Sequence, residues 1–228
     1  MSNTGESGVE EGTALRTVML GPEIPENEMA ALERSMSIAK DIANKVFKSF
    51  AFTDAGLNRV SYRHTQQGNS YGYYISPLLH QLYALIVRLG ANSVLDLGCG
   101  ACIALEIVRQ HLAHNHTKSV KFGGIEVEAD LIKQAHAMFP NTYAITHADL
   151  MKIERKHIAQ YDILYMWEPI YTYAAARDFV DNLAGLLHVN QTIILKPQGC
   201  ISEYLAKHPN ITELKVKGQE LALFHRTG

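Results

Sequence analysis

The fold is decided by residues 94–102, Val94-Leu95-Asp96-Leu97-Gly98-Cys99-Gly100-Ala101-Cys102. An apolar, β-branched run ends in an acid, two small-residue turns follow, and an apolar helix comes next. This order predicts a strand that leads into a tight loop. Glycine lets a ligand approach the backbone there, because it has no Cβ and tolerates a positive φ. The following helix is expected to present unpaired N–H groups to that ligand.

Three kinds of ligand or chemistry fit such a loop. A dinucleotide fingerprint needs glycine at positions 98, 100 and 103, but position 103 is isoleucine. The pair Cys99 and Cys102 forms a CxxC motif between a strand and a helix, where a thiol oxidoreductase would hold a reactive thiolate. The stretch also resembles the acid-x-Gly-x-Gly-x-Gly motif of class I S-adenosylmethionine-dependent methyltransferases. Asp96, Gly98 and Gly100 match that motif, and Cys102 is a small residue in place of its third glycine.

Acids at the ends of the next two predicted strands favour the methyltransferase interpretation. A strand over 121–127 contains Glu126, and a strand over 143–146 leads into Asp149. The resemblance implies that Glu126, with Glu128 as its alternative, accepts hydrogen bonds from the ribose hydroxyls of the cofactor, and Asp149 from its adenine amine. The residues expected to bind S-adenosyl-L-methionine are Asp96, Leu97, Gly98, Cys99, Gly100, Glu126, Val127, Asp149, Leu150, Glu168 and Tyr73.

The remaining pattern predicts an α/β fold. Further strands are expected over 161–167 and 191–196, with helices over 77–89, 174–187 and 201–207. Two period-2 runs on either side of Gly218-Gln219 predict a hairpin. The resemblance implies a Rossmann-like, seven-stranded, mostly parallel sheet with helices on both faces, a C-terminal antiparallel hairpin and an N-terminal helical cap. The expected divisions are a flexible acidic tail over 1–24, a helical cap and Tyr-rich loop over 25–75, and a methyltransferase core over 76–228.

The segment Glu168-Pro169-Ile170-Tyr171 follows the fourth predicted strand of the core. It loosely resembles the Asn/Asp-Pro-Pro-Tyr motif of amino-methylating members of the superfamily. The resemblance implies N-methylation of an amine on a small molecule or a protein side chain, with Glu168 as orienter or base and Tyr171 as a pocket wall. Two alternatives remain: a catalytically silent cofactor-binding subunit that supports a partner, and a thiol oxidoreductase that uses Cys99 and Cys102.

Composition excludes several other classes. The hydrophobic content is 47%, the charged content is 19%, and the formal net charge is −2, all of which are typical of a globular protein. No apolar run reaches the about 18 residues of a membrane span, and Met1–Glu11 lacks the pattern of a secretory signal. Three cysteines without an export signal predict a cytoplasmic protein. The chain lacks the basic stripe that is typical of nucleic-acid binders, which disfavours a nucleic-acid partner on sequence grounds. The histidine spacings do not match a metal site. The sequence gives no indication of the oligomeric state.

Overall fold

The structure, a computed structural model, describes residues 60–64, 70–73, 78–115, 119–167, 169–170, 172–189, 191–196, 199–215 and 221–226. The predicted tail, the predicted cap helices and the predicted catalytic residues Glu168 and Tyr171 lie outside the described residues. The proposed turn at Gly218-Gln219 lies outside them as well.

Within these ranges the chain forms nine strands and six α-helices. The strands are β1 (Val60–His64), β2 (Ser70–Tyr73), β3 (Ser93–Leu97), β4 (Lys121–Glu126), β5 (Ala144–His147), β6 (Ile163–Met166), β7 (Thr192–Leu195), β8 (Ile211–Leu214) and β9 (Ala222–Arg226). The helices are α1 (Leu78–Arg88), α2 (Ile103–Asn115), α3 (Ala129–Met138), α4 (Arg155–Ile158), α5 (Tyr173–Leu186) and α6 (Cys200–Lys207). A 3₁₀ turn spans Leu150–Lys152.

Seven of the strands form one mixed sheet in the order β5-β4-β3-β6-β7-β9-β8. The first five of these strands are mutually parallel, whereas β9 runs antiparallel to both β7 and β8. Strand β8 pairs with β9 from Ile211 opposite Arg226 to Leu214 opposite Leu223. The predicted seven-stranded, mostly parallel sheet and its C-terminal antiparallel pair are therefore confirmed.

The central strands are mostly apolar because helices cover both faces of the sheet. In β3, Val94 packs into a core with α1 and α2, while its neighbour Leu95 packs into a second core with α5 and α6. In β6, Ile163 and Leu164 divide between the two cores in the same way. This alternation confirms the predicted helices on both faces. None of the described helices has the length and hydropathy that a bilayer crossing requires.

The structure differs from the prediction in the Tyr-rich segment. We expect a loop there, but β1 and β2 pair as a separate antiparallel two-stranded sheet with Arg63 opposite Tyr71. Tyr71 and Tyr73 alternate with small residues, and tyrosine favours strands. The alternation covers only four residues, which is too short to stand out among the polar residues around it.

Candidate functional site

The loop between β3 and α2 turns sharply through residues in the left-handed region of backbone space. Gly98 has φ +87°, Gly100 has φ +54°, and Cys102 has φ +61°. Glycine reaches such angles at no steric cost, whereas a residue with a Cβ is strained there by about 1–2 kcal/mol. The third glycine position of the motif is thus a conformational requirement, and Cys102 occupies it under strain.

The N–H groups of this loop point into the protein. Gly98 and Cys99 both donate to the Ile125 carbonyl at the end of β4, at 2.9 and 3.1 Å. Gly100 donates to Oε2 of Glu126 at 2.8 Å, and Cys102 donates to the Cys99 carbonyl at 2.9 Å. A pyrophosphate-binding loop needs N–H groups that face its ligand. Here four of them are already used to fasten the loop to β4 and to itself.

Gly98 brings three segments of the chain to one point. A Cβ built on it would lie 2.8 Å from Cβ of Pro169, in the segment after β6, and 3.9 Å from Cδ1 of Leu150, in the 3₁₀ turn after β5. The ends of β3 and β6 are neighbours where the strand order reverses, which is where open α/β sheets bind ligands. The sequence-predicted residues Gly98 and Leu150 are therefore close together, beside the Pro169 that follows Glu168.

Glu126 is the last residue of β4, and three backbone N–H groups donate hydrogen bonds to its carboxylate. Its Oε2 accepts from Gly100, and its Oε1 accepts from the N–H groups of Val127 and Glu128 at 2.7 and 2.9 Å. The side chain is buried, and burial raises the pKa of the carboxyl although these three N–H groups lower it. A carboxylate offers about four acceptor positions. Among the described residues, backbone N–H groups fill three of them, two on Oε1 and one on Oε2.

Asp96 is the second buried carboxyl at this edge of the sheet, with only 3% of its surface exposed. Burial, followed by the negative charge of Glu126, raises the pKa of Asp96 from 3.8 to about 8. Its neighbour Leu97 is buried in the core. Asp96 is therefore held as a neutral acid near neutral pH, and a neutral carboxyl can donate a hydrogen bond as well as accept one.

The loops after β4 and β5 meet beside Glu126. His147 donates from Nε2 to the Val127 carbonyl at 2.9 Å, and Ala148 donates its N–H to the Glu126 carbonyl at 3.0 Å. Asp149 begins the 3₁₀ turn and accepts from the Met151 N–H at 2.9 Å. The predicted set Glu126, Val127, Asp149 and Leu150 is thus gathered at one edge. Tyr73 ends β2, and its side chain is not among those the structure describes.

The two cysteines of the CxxC motif are packed away from solvent. Cys99 and Cys102 are both buried and free of disulfides. A hydrogen bond with Cys102, together with burial, raises the pKa of the Cys99 thiol well above its ordinary value. Cys99 lies over Gly124 of β4, and a Cβ added to Gly124 would lie 2.7 Å from Cβ of Cys99. A nucleophilic thiolate needs the opposite environment, exposed and electropositive.

A second feature near this edge is a cleft of about 240 Å³ after β6 and β7. Its wall combines apolar side chains with one cation and the start of α6. The lining residues are Ile170, Tyr173, Leu195, Lys196, Gly199, Cys200, Ile201 and Ser202. Cys200 donates from Sγ to the Ile170 carbonyl at 3.3 Å, which ties α6 to the segment that carries Pro169.

The predicted site residues do not include the lining of this cleft. One signal could have found it, because Lys196 directly follows β7 and the carboxyl end of β7 neighbours that of β6. In the described ranges, no three His, Cys, Asp or Glu side chains lie close enough to hold a metal ion.

No protein-family model and no curated protein matches the chain, but solved structures do. A methyltransferase from Podospora anserina bound to S-adenosylhomocysteine is 10% identical, with a TM-score of 0.55 over 91% of this chain and all of that one. A Staphylococcus aureus protein described as a candidate caffeoyl-CoA O-methyltransferase is 11% identical, with a TM-score of 0.53 over 90% of this chain and all of that one. At such identities the likeness concerns the fold. The chain therefore has the Rossmann-like fold of the S-adenosylmethionine-dependent methyltransferases.

Proposed function

We propose that this protein is an S-adenosylmethionine-dependent methyltransferase that methylates the nitrogen of an amine acceptor, on a small molecule or a protein side chain. The observation that carries the proposal is the carboxylate of Glu126. Backbone N–H groups hold it at the end of β4, next to a glycine loop whose own N–H groups are bonded to β4. The Podospora relative of the same fold was crystallised with S-adenosylhomocysteine.

The residues of this edge fit an adenosine-type cofactor without phosphates. Oε2 of Glu126 can accept from a ribose hydroxyl, and Asp149, which accepts one N–H through Oδ1, keeps Oδ2 for an amine. Gly98 is solvent-exposed and lacks a side chain that would block the approach of the ligand. When bound, S-adenosylmethionine supplies a methyl group already activated by its sulfonium. The protein must therefore mainly position the two reactants.

The same geometry disfavours a dinucleotide cofactor, and it also disfavours a thiol oxidoreductase. A dinucleotide would place its pyrophosphate against loop N–H groups, but Gly98, Cys99 and Gly100 donate theirs to β4. A thiol oxidoreductase would need a stabilised thiolate, but the pKa of Cys99 is raised and its side chain is buried. Three buried cysteines without disulfide bonds fit the reducing cytoplasm, which is the location that we propose.

We assign the acceptor side to the segment around Pro169. Pro169 lies against Gly98 of the cofactor loop, and Glu168 precedes Pro169 in the sequence. We propose that Glu168 orients the acceptor amine or takes its proton, while Tyr171 forms a wall of the pocket. An acid at this position favours an acceptor that donates hydrogen bonds. A catalytically silent cofactor-binding subunit would share the cofactor site but not this role of Glu168.

The first experiment measures cofactor binding by calorimetric titration with S-adenosylhomocysteine. We expect binding by the wild type and a loss of at least about tenfold in E126Q, since hydrogen bonds to a charged group contribute roughly 1.5–3 kcal/mol. G98A should also bind more weakly, because its Cβ would push against Pro169. Its matched control is G90A, which has a similar φ of +62° but no atom within 4 Å of the added Cβ.

Absence of binding by the wild type contradicts the cofactor assignment. If binding is present, transfer of labelled methyl to an amine panel separates the remaining alternatives. A wild type that transfers methyl, with an E168Q variant that binds cofactor normally but transfers poorly, supports N-methylation. A wild type that binds cofactor but transfers methyl to no acceptor indicates a silent subunit.

A further inference from the structure

The thiols of the CxxC motif take no part in the proposed methyl transfer, although they belong to the cofactor loop. The Cys102 N–H donates to the Cys99 carbonyl at 2.9 Å and closes a four-residue turn. The Cα atoms at the two ends of such a turn are less than about 7 Å apart, and those of disulfide-bonded cysteines are roughly 4.4–6.8 Å apart. The backbone of this turn therefore suits a disulfide between its ends.

The side chains of the two cysteines also point toward one place. A Cβ built on Gly124 of β4 would collide with Sγ of Cys99 and would lie 3.7 Å from Sγ of Cys102. The two sulfurs are thus neighbours against the same glycine, and a hydrogen bond joins the thiols. Cysteines whose Cβ vectors point apart cannot be bridged, whereas these two converge.

Cys102 occupies its position under strain. Its φ of +61° lies in the left-handed region, where a residue with a Cβ is disfavoured. A glycine would build the same turn without this strain. Backbone strain persists at functional and switch sites, where the surrounding structure maintains it. The group that a cysteine adds at this position is a thiol beside the thiol of Cys99.

The environment of the pair affects the rate and the equilibrium of oxidation differently. An oxidant reaches the buried thiols when the loop, which borders solvent at the exposed Gly98, opens. The hydrogen bond with Cys102 and burial raise the pKa of Cys99, which slows exchange because the thiolate is the attacking species. The same environment does not stabilise the reduced form as a thiolate, which is what makes some protein disulfides strongly oxidising. A disulfide here should therefore form slowly and persist until a thiol reductant reaches it.

The turn between the two cysteines also holds the carboxylate of Glu126. Gly100, inside the turn, donates to Oε2 of Glu126 at 2.8 Å. Cys99 donates from Sγ to the Gly100 carbonyl at 3.6 Å, and this bond is lost when the thiol hydrogen is removed. An S–S bond of about 2 Å brings the sulfurs closer than a hydrogen-bonded contact, so the turn has to shift. Both changes displace the N–H that positions Glu126.

We propose that Cys99 and Cys102 form a reversible disulfide that weakens cofactor binding, and that the reduced pair is the binding form of the loop. The oxidant is a small disulfide of the glutathione type. One cysteine thiolate attacks it to form a mixed disulfide, and the other cysteine then displaces the second thiol. The protein loses two hydrogens as its S–S bond forms, and the oxidant is reduced to two thiols that take up the protons.

The formation of this disulfide is independent of the proposed function, whereas its effect on cofactor binding rests on it. Disulfides in cytoplasmic proteins are usually transient, and many of them sense the redox state. A loop disulfide of this kind would make the cofactor affinity of the protein depend on the ratio of disulfide to thiol around it.

The experiment equilibrates the protein in buffers with different ratios of oxidised to reduced glutathione. Trypsin leaves Cys99 and Cys102 on one peptide, between Arg88 and Arg109, and Cys200 on another. Mass spectrometry after alkylation of the remaining thiols therefore distinguishes a disulfide within the loop from a mixed disulfide or a bond to Cys200. We expect the loop peptide to lose two hydrogens and to regain them with dithiothreitol.

Calorimetric titration with S-adenosylhomocysteine measures the effect on the loop. Affinity should fall by at least about tenfold on oxidation, as for one lost hydrogen bond to a charged group, and should recover on reduction. Because such coupling is reciprocal, saturating S-adenosylhomocysteine should make the pair harder to oxidise by the same factor, and tenfold is about 30 mV for a two-electron couple. C102G cannot form the disulfide, so its affinity should be the same in oxidising and reducing buffers. C200S should respond to oxidation as the wild type does.

Three results would overturn the proposal: no disulfide in the loop peptide when oxidised glutathione alone is present, a bond to Cys200 or to glutathione instead, or a loop disulfide that leaves the affinity for S-adenosylhomocysteine unchanged. A loss of affinity on oxidation that persists in C102G also contradicts it. Failure of the proposed function is a different outcome, in which the reduced wild type does not bind S-adenosylhomocysteine. The mass measurement reports on the disulfide in either case.

Discussion

Replacing Asp96 by asparagine should stabilise the cofactor-free protein at neutral pH. The folded protein raises the pKa of this carboxyl from 3.8 to about 8 by burial and by the charge of Glu126. Below pH 4 both the folded and the unfolded forms carry the proton, so the group costs nothing. As the pH rises from 4 to 8, the unfolded chain releases the proton while the folded protein keeps it. Stability is therefore lost across this window, and the loss levels off above it.

The magnitude follows from the size of the shift. Each pH unit across the window lowers the free energy of unfolding by about 1.4 kcal/mol. At pH 7 the accumulated cost is of the order of 4 kcal/mol. D96N cannot ionise, so its free energy of unfolding should exceed that of the wild type by a few kcal/mol at pH 7. The difference should be much smaller at pH 4.

Urea unfolding at pH 4, 5.5, 7 and 8.5 measures this difference. Trp167, the sole tryptophan of the chain, provides the fluorescence signal. The control is D130N, the same change at an exposed position of α3, which should show no pH-dependent gain of this size. A difference between D96N and wild type that stays constant from pH 4 to 8.5 would refute the reasoning. If D96N also binds the cofactor more weakly, Asp96 contributes to cofactor binding at the expense of the stability of the cofactor-free protein.

The remaining two predictions concern Cys99 and its neighbours. In G124A the added Cβ would lie 2.3 Å from Sγ of Cys99, so unfolding free energy should fall by about 1–3 kcal/mol. In a C99G background the loss should shrink, whereas G185A, with no atom near its Cβ, should lose nothing. In alkylation at pH 8, Cys99 of the native protein should react more slowly than the same thiol in urea, because the raised pKa suppresses the thiolate and the side chain is buried. Equal rates, followed by mass spectrometry, would contradict the raised pKa.

The gathering of Asp96, Glu126 and Asp149 at one edge of the sheet was predictable because its signal in the sequence is local. Asp96, Glu126 and Asp149 each lie at or just after the end of a predicted strand, and the carboxyl ends of parallel strands share one edge of the sheet. Pattern and geometry therefore agree there without knowledge of side-chain packing. The sheet was predictable for the same reason, since buried parallel strands produce continuous apolar runs.

The features that we did not predict depend on contacts between distant parts of the chain. Gly124 must be a glycine because the register of β3 and β4 places Cys99 over it. Lys196 lies in the cleft because Trp167 and α6 surround the end of β7. The inward direction of the loop N–H groups depends on the Ile125 carbonyl across the sheet. None of these relations has a spacing that the sequence alone reveals.

The position of β9 constrains the order in which the sheet assembles. Strand β8 precedes β9 in the chain and is synthesised before it. Within the described sheet, however, β8 pairs only with β9, which lies between β8 and β7. The backbone bonds of β8 therefore cannot form on the sheet until the later strand has docked. In native-state hydrogen exchange, β8 should open at or below the free energy at which β9 opens. Within the described sheet, the backbone pairing of β8 thus depends on β9 alone, so an event that releases β9 also removes the interstrand hydrogen bonds of β8.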